Sequence, residues 1–216
     1  MDSVQKPILK ERVLYRDEIY EYFRKKIIAG DLKPGDRIVE TRWAKELGVS
    51  QSPVREAIRE LELNGLVENK PFYGTFVKEI SKKNIIDAFK VRISLEVLAV
   101  KEAIKVITDE QLEEIHSLIN AMEDAAEEND IDLFIDKDAL FHEKIVKLAD
   151  NEMLLKLWSQ CHIVEWTQFS TITSKMGIKK LATRHEDVYN ALFERNVEKA
   201  VEIIASHVQE LMDEIN

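Results

Sequence analysis

Leu47-Gly48-Val49-Ser50-Gln51-Ser52-Pro53-Val54-Arg55-Glu56-Ala57-Ile58-Arg59-Glu60-Leu61 is the stretch from which the fold can be read. Gly48-Val49-Ser50 reads as a turn between two helices, because glycine suits the end of one and a short hydroxyl side chain the start of the next. Ser50 or Ser52 is placed to cap the second helix, and Pro53 falls in its first turn, where a missing N–H does no harm. Val54, Ile58 and Leu61 recur at helical spacing and face inward, which leaves Gln51, Ser52, Arg55 and Arg59 outward. Working backward, a short helix runs from about Thr41 to Leu47. Before it, Tyr15, Ile19, Tyr22, Phe23, Ile27 and Ile28 form an amphipathic stripe that stops at Gly30. Working forward, Leu66-Val67-Glu68 and Thr75-Phe76-Val77 flank a turn from Pro71 to Gly74 and read as a β-hairpin. Three helices followed by a hairpin make a winged helix-turn-helix.

Beyond this module the punctuation changes. Every proline and five of the six glycines precede residue 81, after which only Gly177 remains. Short elements with tight turns give way to long helices, so the boundary falls near Lys78 to Ser81 and divides the chain into residues 1–80 and 81–216. Six helical segments are expected near 82–106, 109–128, 131–149, 151–173, 178–194 and 197–215. Thr108 with Gln111 matches a capping box, and Asn196 is placed to cap the last helix. Stripes such as Phe134, Phe141, Ile145 and Leu148, or Val197, Val201, Ile204, Val208 and Leu211, are what antiparallel helices bury against one another. The expected fold is therefore mainly α: a winged helix-turn-helix followed by an all-α antiparallel bundle.

A helix-turn-helix lays its second helix in the major groove of DNA, which requires short, polar or cationic residues at that helix's start. Ser50 and Ser52 suit phosphates, Gln51 a base edge, and Arg55 a guanine edge or a phosphate. Arg42 is placed to clamp the backbone from the preceding helix, while Tyr73, beside Gly74 at the hairpin tip, is placed to touch the flanking minor groove or sugar-phosphate chain. The formal net charge of −10 argues the other way until it is divided along the chain. Residues 1–80 hold 15 Lys and Arg against 14 Asp and Glu, and subtraction from the totals of 31 and 41 leaves 16 against 27 for residues 81–216. The acid lies in the second part, so the first is not barred from a polyanion.

The run Leu32 to Gly35, then Glu40, Ala44, Leu47-Gly48-Val49-Ser50, Ser52-Pro53-Val54-Arg55-Glu56-Ala57-Ile58, Leu61, Gly65-Leu66-Val67 and Gly74 resembles the signature of the GntR family of bacterial repressors. The resemblance covers about residues 12–78. Gln51 departs from it, standing where the family often has Arg.

In the second part the histidines carry the chemistry. Asp138 and His142 are four apart on one expected helix and border the stripe of Phe134, Phe141 and Ile145. His185 holds a stripe position in the series Leu181, His185, Val188, Leu192, and His207 lies between Ile204 and Leu211. Four potential ligands from three helices thus face a bundle interior, where a neutral imidazole is the commonest metal ligand. A hydrogen-bonded core histidine is the competing reading for each of them. Residues 81–213 resemble the FCD effector domain of the FadR subclass of that family, whose metal-binding members carry Asp, His, His and His at the spacing of Asp138, His142, His185 and His207. That resemblance implies zinc, nickel, manganese or iron, with open positions for a small carboxylate effector. In the family-like run Val91 to Glu96, Arg92 is placed either to clamp an organic acid or to pair with Glu96 one turn on, and His162 to line the effector pocket. His116 and Cys161 read as structural.

Together these readings point to a ligand-responsive regulator of transcription, not an enzyme, acting as a homodimer on an inverted repeat, because one winged helix touches too few bases for a specific site. The alternatives are a metal-dependent hydrolase on the same ligands, or a DNA-binding architectural protein without an effector. Against the hydrolase, Glu143 and Glu186 lie about 100° round their helices from the adjacent ligands. Against the architectural protein stands the cost of burying polar groups with nothing to bind. A single cysteine forbids an intrachain disulfide, and neither an 18-residue uncharged apolar run nor a signal-peptide pattern is present, so a cytoplasmic location without a membrane is expected.

Overall fold

The computed structural model describes residues 9–79, 81–160, 171 and 174–215. The chain divides into two compact units, Met1–Ile80 and Ser81–Asn216.

In the first unit, α1 (Leu9–Ile28) is followed by β1 (Arg37–Ile38), α2 (Glu40–Leu47), α3 (Gln51–Leu63), β2 (Val67–Lys70) and β3 (Gly74–Val77). Gly48 ends α2 in the left-handed region at φ 69° and returns its N–H to the Ala44 carbonyl. That sharp reversal, open to glycine at little steric cost, lets α3 start three residues later and pack across α2. Pro53, Val54, Ala57, Ile58 and Leu61 of α3 are buried, facing a core of Ile19, Phe23, Trp43, Leu66 and Val77. Phe23 and Trp43 meet edge to face with centroids 5.0 Å apart. Burying each large apolar side chain contributes roughly 1.5–3 kcal/mol, so this one-sided helix is fixed by its core face and leaves its other face to solvent. Ser50 occupies the N-cap position, but its side chain makes no capping hydrogen bond, which corrects the expectation that a serine hydroxyl closes this helix. The expected hairpin is present, with Val67 opposite Val77 and Lys70 opposite Gly74. It belongs to a three-stranded antiparallel sheet of order β1-β3-β2, in which Arg37 pairs with Phe76. Two residues of β1 carry no periodicity, so the third strand had no signature to read.

The second unit is all-helical: α4 (Lys82–Ala103), α5 (Asp109–Glu128), α6 (Ile131–Leu148), α7 (Glu152–Gln160), α8 (Ile178–Thr183), α9 (His185–Phe193) and α10 (Val197–Ile215). Helix α4 packs on α6, α7 and α10, while α5 packs on α6, α8 and α9. The expected starts hold. Thr108 and Gln111 form a reciprocal capping box, and Asn196 Oδ1 accepts the Lys199 N–H. Ser81 and Asn84 make a further box at α4.

One expected helix differs, and another lies partly outside the described residues. That of 178–194 is divided at Arg184, which ends α8 and precedes α9, and there the Ala182 carbonyl lies 3.0 Å from His185 Nδ1. Of the helix expected over 151–173, residues 152–160 form α7, and the described residues contain little of the rest. Among the described residues no helix is long and apolar enough to cross a membrane.

Candidate metal centre and nucleic-acid interface

Helix α6 turns Asp138, Phe141, His142 and Ile145 to one buried side, His185 opens α9, and His207 lies on the inner face of α10. All three imidazoles are buried, and one nitrogen from each falls in a group whose members lie within 4.8 Å of one another. His185 and His207 have ring centroids 4.6 Å apart, and His142 lies 5.3 Å from His207. Asp138 joins through His185, with Oδ1 at 3.0 Å from Nε2. A carbonyl only accepts, so His185 Nδ1 donates to Ala182 and, in the neutral ring, Nε2 presents a lone pair to the Asp138 carboxylate. Two acceptors thus face each other with nothing positive between them.

Behind His142 stands Glu96 of α4. Its Oε1 accepts Arg92 Nε at 2.7 Å and Trp158 Nε1 at 3.1 Å, while Oε2 approaches His142 Nδ1 to 2.9 Å without the alignment of a good hydrogen bond. Five buried side-chain atoms here have no well-formed partner: Glu96 Oε2, Asp138 Oδ2, both nitrogens of His142, and His185 Nε2. Burial pushes the Glu96 carboxyl up, but the positive charge of Arg92 and contact with His142 outweigh it and hold the group down at about 2. Asp138 is held below the usual carboxylate range in the same way, burial being outweighed by the close approach of His185 and by His142. Burial also pushes His142 down, against the pull of Glu96. It pushes His207 well down, reinforced by His185 and His142. Ionised carboxylates beside rings poor at taking up protons make an electron-rich donor set, which suits a divalent cation.

Metal–nitrogen bonds of about 2.0–2.1 Å put two donors at most about 4.2 Å apart across one ion, so donors that lie within 4.8 Å of one another must draw together to close on an ion. A surface pocket of about 50 Å³ reaches His207, lined by Arg184, Asp187, Ser206 and Glu210 among others. Arg184 fastens it by donating to the His207 carbonyl and pairing with Glu210.

Arg92 is buried against Glu96, so of the two roles expected for it the intrahelical pair is the one seen. His162 and Cys161 lie outside the described residues. His116 lies 3.3 Å from Glu186 and stacks on Tyr189, consistent with a structural part. In the sequence, an i,i+4 ion pair with Arg92 accounts fully for Glu96. Only the tertiary placement of His142 and Trp158 reveals more.

In the first unit, Gln51, Ser52, Arg55 and Arg59 lie on the exposed side of α3 and Ser50 at its start. Arg55 is not wholly unengaged, since its Nε donates to Glu40 Oε2 at 2.9 Å, which ties it to the start of α2. Arg42 is exposed, near Glu46 at 3.9 Å and over the Trp43 ring. Tyr73 is 70% exposed and Phe72, beside it, is fully exposed at φ 69°. At Gly74, φ 101°, an added Cβ would meet the Arg37 guanidinium at 3.1 Å. Arg37 and Phe72 therefore join this surface, and neither has a sequence signal of its own.

Residues 15–77 match the family described as bacterial regulatory proteins, gntR family, and residues 87–210 match the FCD domain. A protein of Paenarthrobacter nicotinovorans named "Probable D-xylose utilization operon transcriptional repressor" is 30% identical over 208 residues, covering 96% of this chain and 91% of its own. The HTH-type transcriptional regulator YdhC of Bacillus subtilis is 31% identical over 197 residues, covering 89% and 87%. Among solved structures, McbR/YncC of E. coli superposes with a TM-score of 0.75 at 22% identity, covering 93% of this chain and 96% of its own.

Proposed function

Because the chain belongs to the GntR family of DNA-binding transcriptional regulators, in the branch that carries an FCD domain, we propose that it is a metal-dependent, ligand-responsive repressor. Its first unit binds operator DNA, and its helical unit holds a divalent metal and senses a small carboxylate. The protein acts in the cytoplasm as a homodimer, without catalysing a reaction. The observation that carries the reading is the convergence of His142, His185 and His207 on one buried point, with Asp138 3.0 Å from His185 and unpartnered atoms on Asp138, His142 and His185. These four would hold zinc, nickel, manganese or iron, and the bound ion would offer Lewis-acid positions to a carboxylate.

The side chains supply the rest. Ala182 holds the His185 ring, and Phe141 packs edge-on against His142 and His185, with centroids 5.2 and 4.9 Å away, which keeps both from rotating. Arg92 is the cation assigned to an organic acid, and a ligand that recruits it must compete with Glu96. Any ligand that binds one conformation of the dimer better than another shifts its DNA affinity, and by linkage DNA shifts ligand affinity by the same factor. Titrating candidate carboxylates with and without operator tests this. Unequal factors, or no response to any acid with metal present, would reject the sensing role.

At the nucleic-acid surface, Ser50, Ser52 and Arg42 address phosphates, Gln51, Arg55 and Arg59 the major groove, and Tyr73 with Gly74 the flank. Arg55→Ala is expected to weaken specific operator binding by about 1–3 kcal/mol with little change in melting temperature, since the side chain is half exposed and its bond to Glu40 lies at the surface. Gel shifts on the operator recovered by genomic selection, with thermal melts alongside, check it. A variant that unfolds while its folded fraction binds normally would make Arg55 a structural tie between α2 and α3.

A further inference from the structure

Glu96 lies outside the proposed donor set, yet it joins α4, α6 and α7 in one buried network. Its two oxygens have divided tasks: Oε1 is taken by Arg92 and Trp158, and Oε2 is left facing His142 Nδ1 at 2.9 Å. Taking as premise the reading above that His142 is a metal donor, we propose that Glu96 is a positioning residue that fixes His142 in the Nδ1–H form and so commits Nε2 to the cluster.

Electrostatics at short range carries the argument. Although the contact is not aligned as a good hydrogen bond, a bare ring lone pair 2.9 Å from a carboxylate oxygen, away from water, is repelled by it whereas an N–H is attracted, so the hydrogen of the neutral ring belongs on Nδ1. Arg92 and Trp158 approach from two different helices and stop the carboxylate from rotating away. Nε2 then keeps its lone pair, and it has no hydrogen-bond partner among the described residues. His185 reaches the same state through another device, since its Nδ1 is held by the Ala182 carbonyl. The two rings are thus set from behind by acceptors of different charge. An anionic acceptor also raises the basicity of the ring it holds, which strengthens the opposite nitrogen as a ligand.

Long-range ¹H–¹⁵N correlation spectra of the metal-stripped chain, labelled at its five histidines and recorded above neutral pH, read the tautomer directly. The expected result is Nδ1–H at His142 in the wild type. In Glu96→Gln, the amide can keep its carbonyl toward Arg92 and Trp158 and turn its NH₂ to His142 Nδ1, which moves the ring hydrogen to Nε2. That variant is expected to show the reversed tautomer at His142, an unchanged one at His185, and zinc affinity about 10–100-fold lower by chelator competition. Trp158→Phe should leave the His142 tautomer as it was. An Nε2–H form in the wild type overturns the proposal even if Glu96→Gln fails to fold, and so does a Gln variant that changes neither tautomer nor affinity. Wild-type protein that binds no zinc, nickel or manganese would reject the metal site itself, and the tautomer would still decide the role of Glu96.

Discussion

His185→Ala and His207→Ala are each expected to purify almost free of transition metal, whereas the wild type carries about one ion per chain by elemental analysis. The effect is large because each ring supplies a donor that nothing nearby replaces: the three imidazoles come from three helices, and Asp138 reaches the group through His185. Metal that binds only the folded chain stabilises it by mass action, about 2.7 kcal/mol at a hundred times the dissociation constant. In a chain of this size a chelator should therefore lower the melting temperature of the wild type by roughly 5–10 °C and leave both variants unmoved. The metal-stripped chain should also be acid-sensitive, with a definite sign. His142 and His207 are pushed below 6.5 when folded, so the unfolded chain takes up protons first. Their contribution is complete above about pH 6.5 and is lost as the pH falls below it. Asp138 and Glu96, also pushed down on folding, add a second loss that starts near the ordinary carboxylate values of 3.8 and 4.5 and continues toward their folded values. A melting temperature flat between about pH 7 and 5, or wild-type protein without metal and indifferent to added zinc, nickel or manganese, would return the four residues to the standing of core hydrogen-bonders.

The winged helix was legible because its signals are local: a glycine that must take positive φ, a proline that must sit in a first turn, and an apolar stripe on one side of residues 54–61. The histidine cluster was legible because His185 and His207 fall on stripe positions, and a polar residue there needs a reason. What stayed hidden depends on partners far along the chain. Glu96 looks like half of a surface ion pair until α6 and α7 bring His142 and Trp158 to it. The break at Arg184 has no glycine or proline to announce it, and Arg184 keeps helical dihedrals itself, so nothing local marks it. Arg37 likewise acquires its place only when β1 pairs with β3 and sets its guanidinium against Gly74.

An operator with two inverted half-sites should bind the chain about 10²–10⁴-fold more tightly than a duplex carrying one. The face that α3 offers is short: Gln51, Ser52, Arg55 and Arg59, with Arg55 partly held by Glu40. At about 1–3 kcal/mol per good base contact, one such face cannot stand out from the many other sites in a genome, so specificity must come from joining two. In a homodimer the second engagement is intramolecular, at an effective concentration near the millimolar range, and the gain survives only if both modules reach the same face of the duplex. That geometry gives the sharper form of the test. Inserting about five base pairs between the half-sites turns one of them to the opposite side of the helix, whereas about ten restores the phase. The short insertion should abolish most of the gain and the long one should recover part of it, with sedimentation showing a dimer at micromolar concentration before DNA is added. A monomer in solution, together with half-sites bound as tightly as the full operator, would overturn the dimeric reading while leaving the assignment of α3 to the major groove intact.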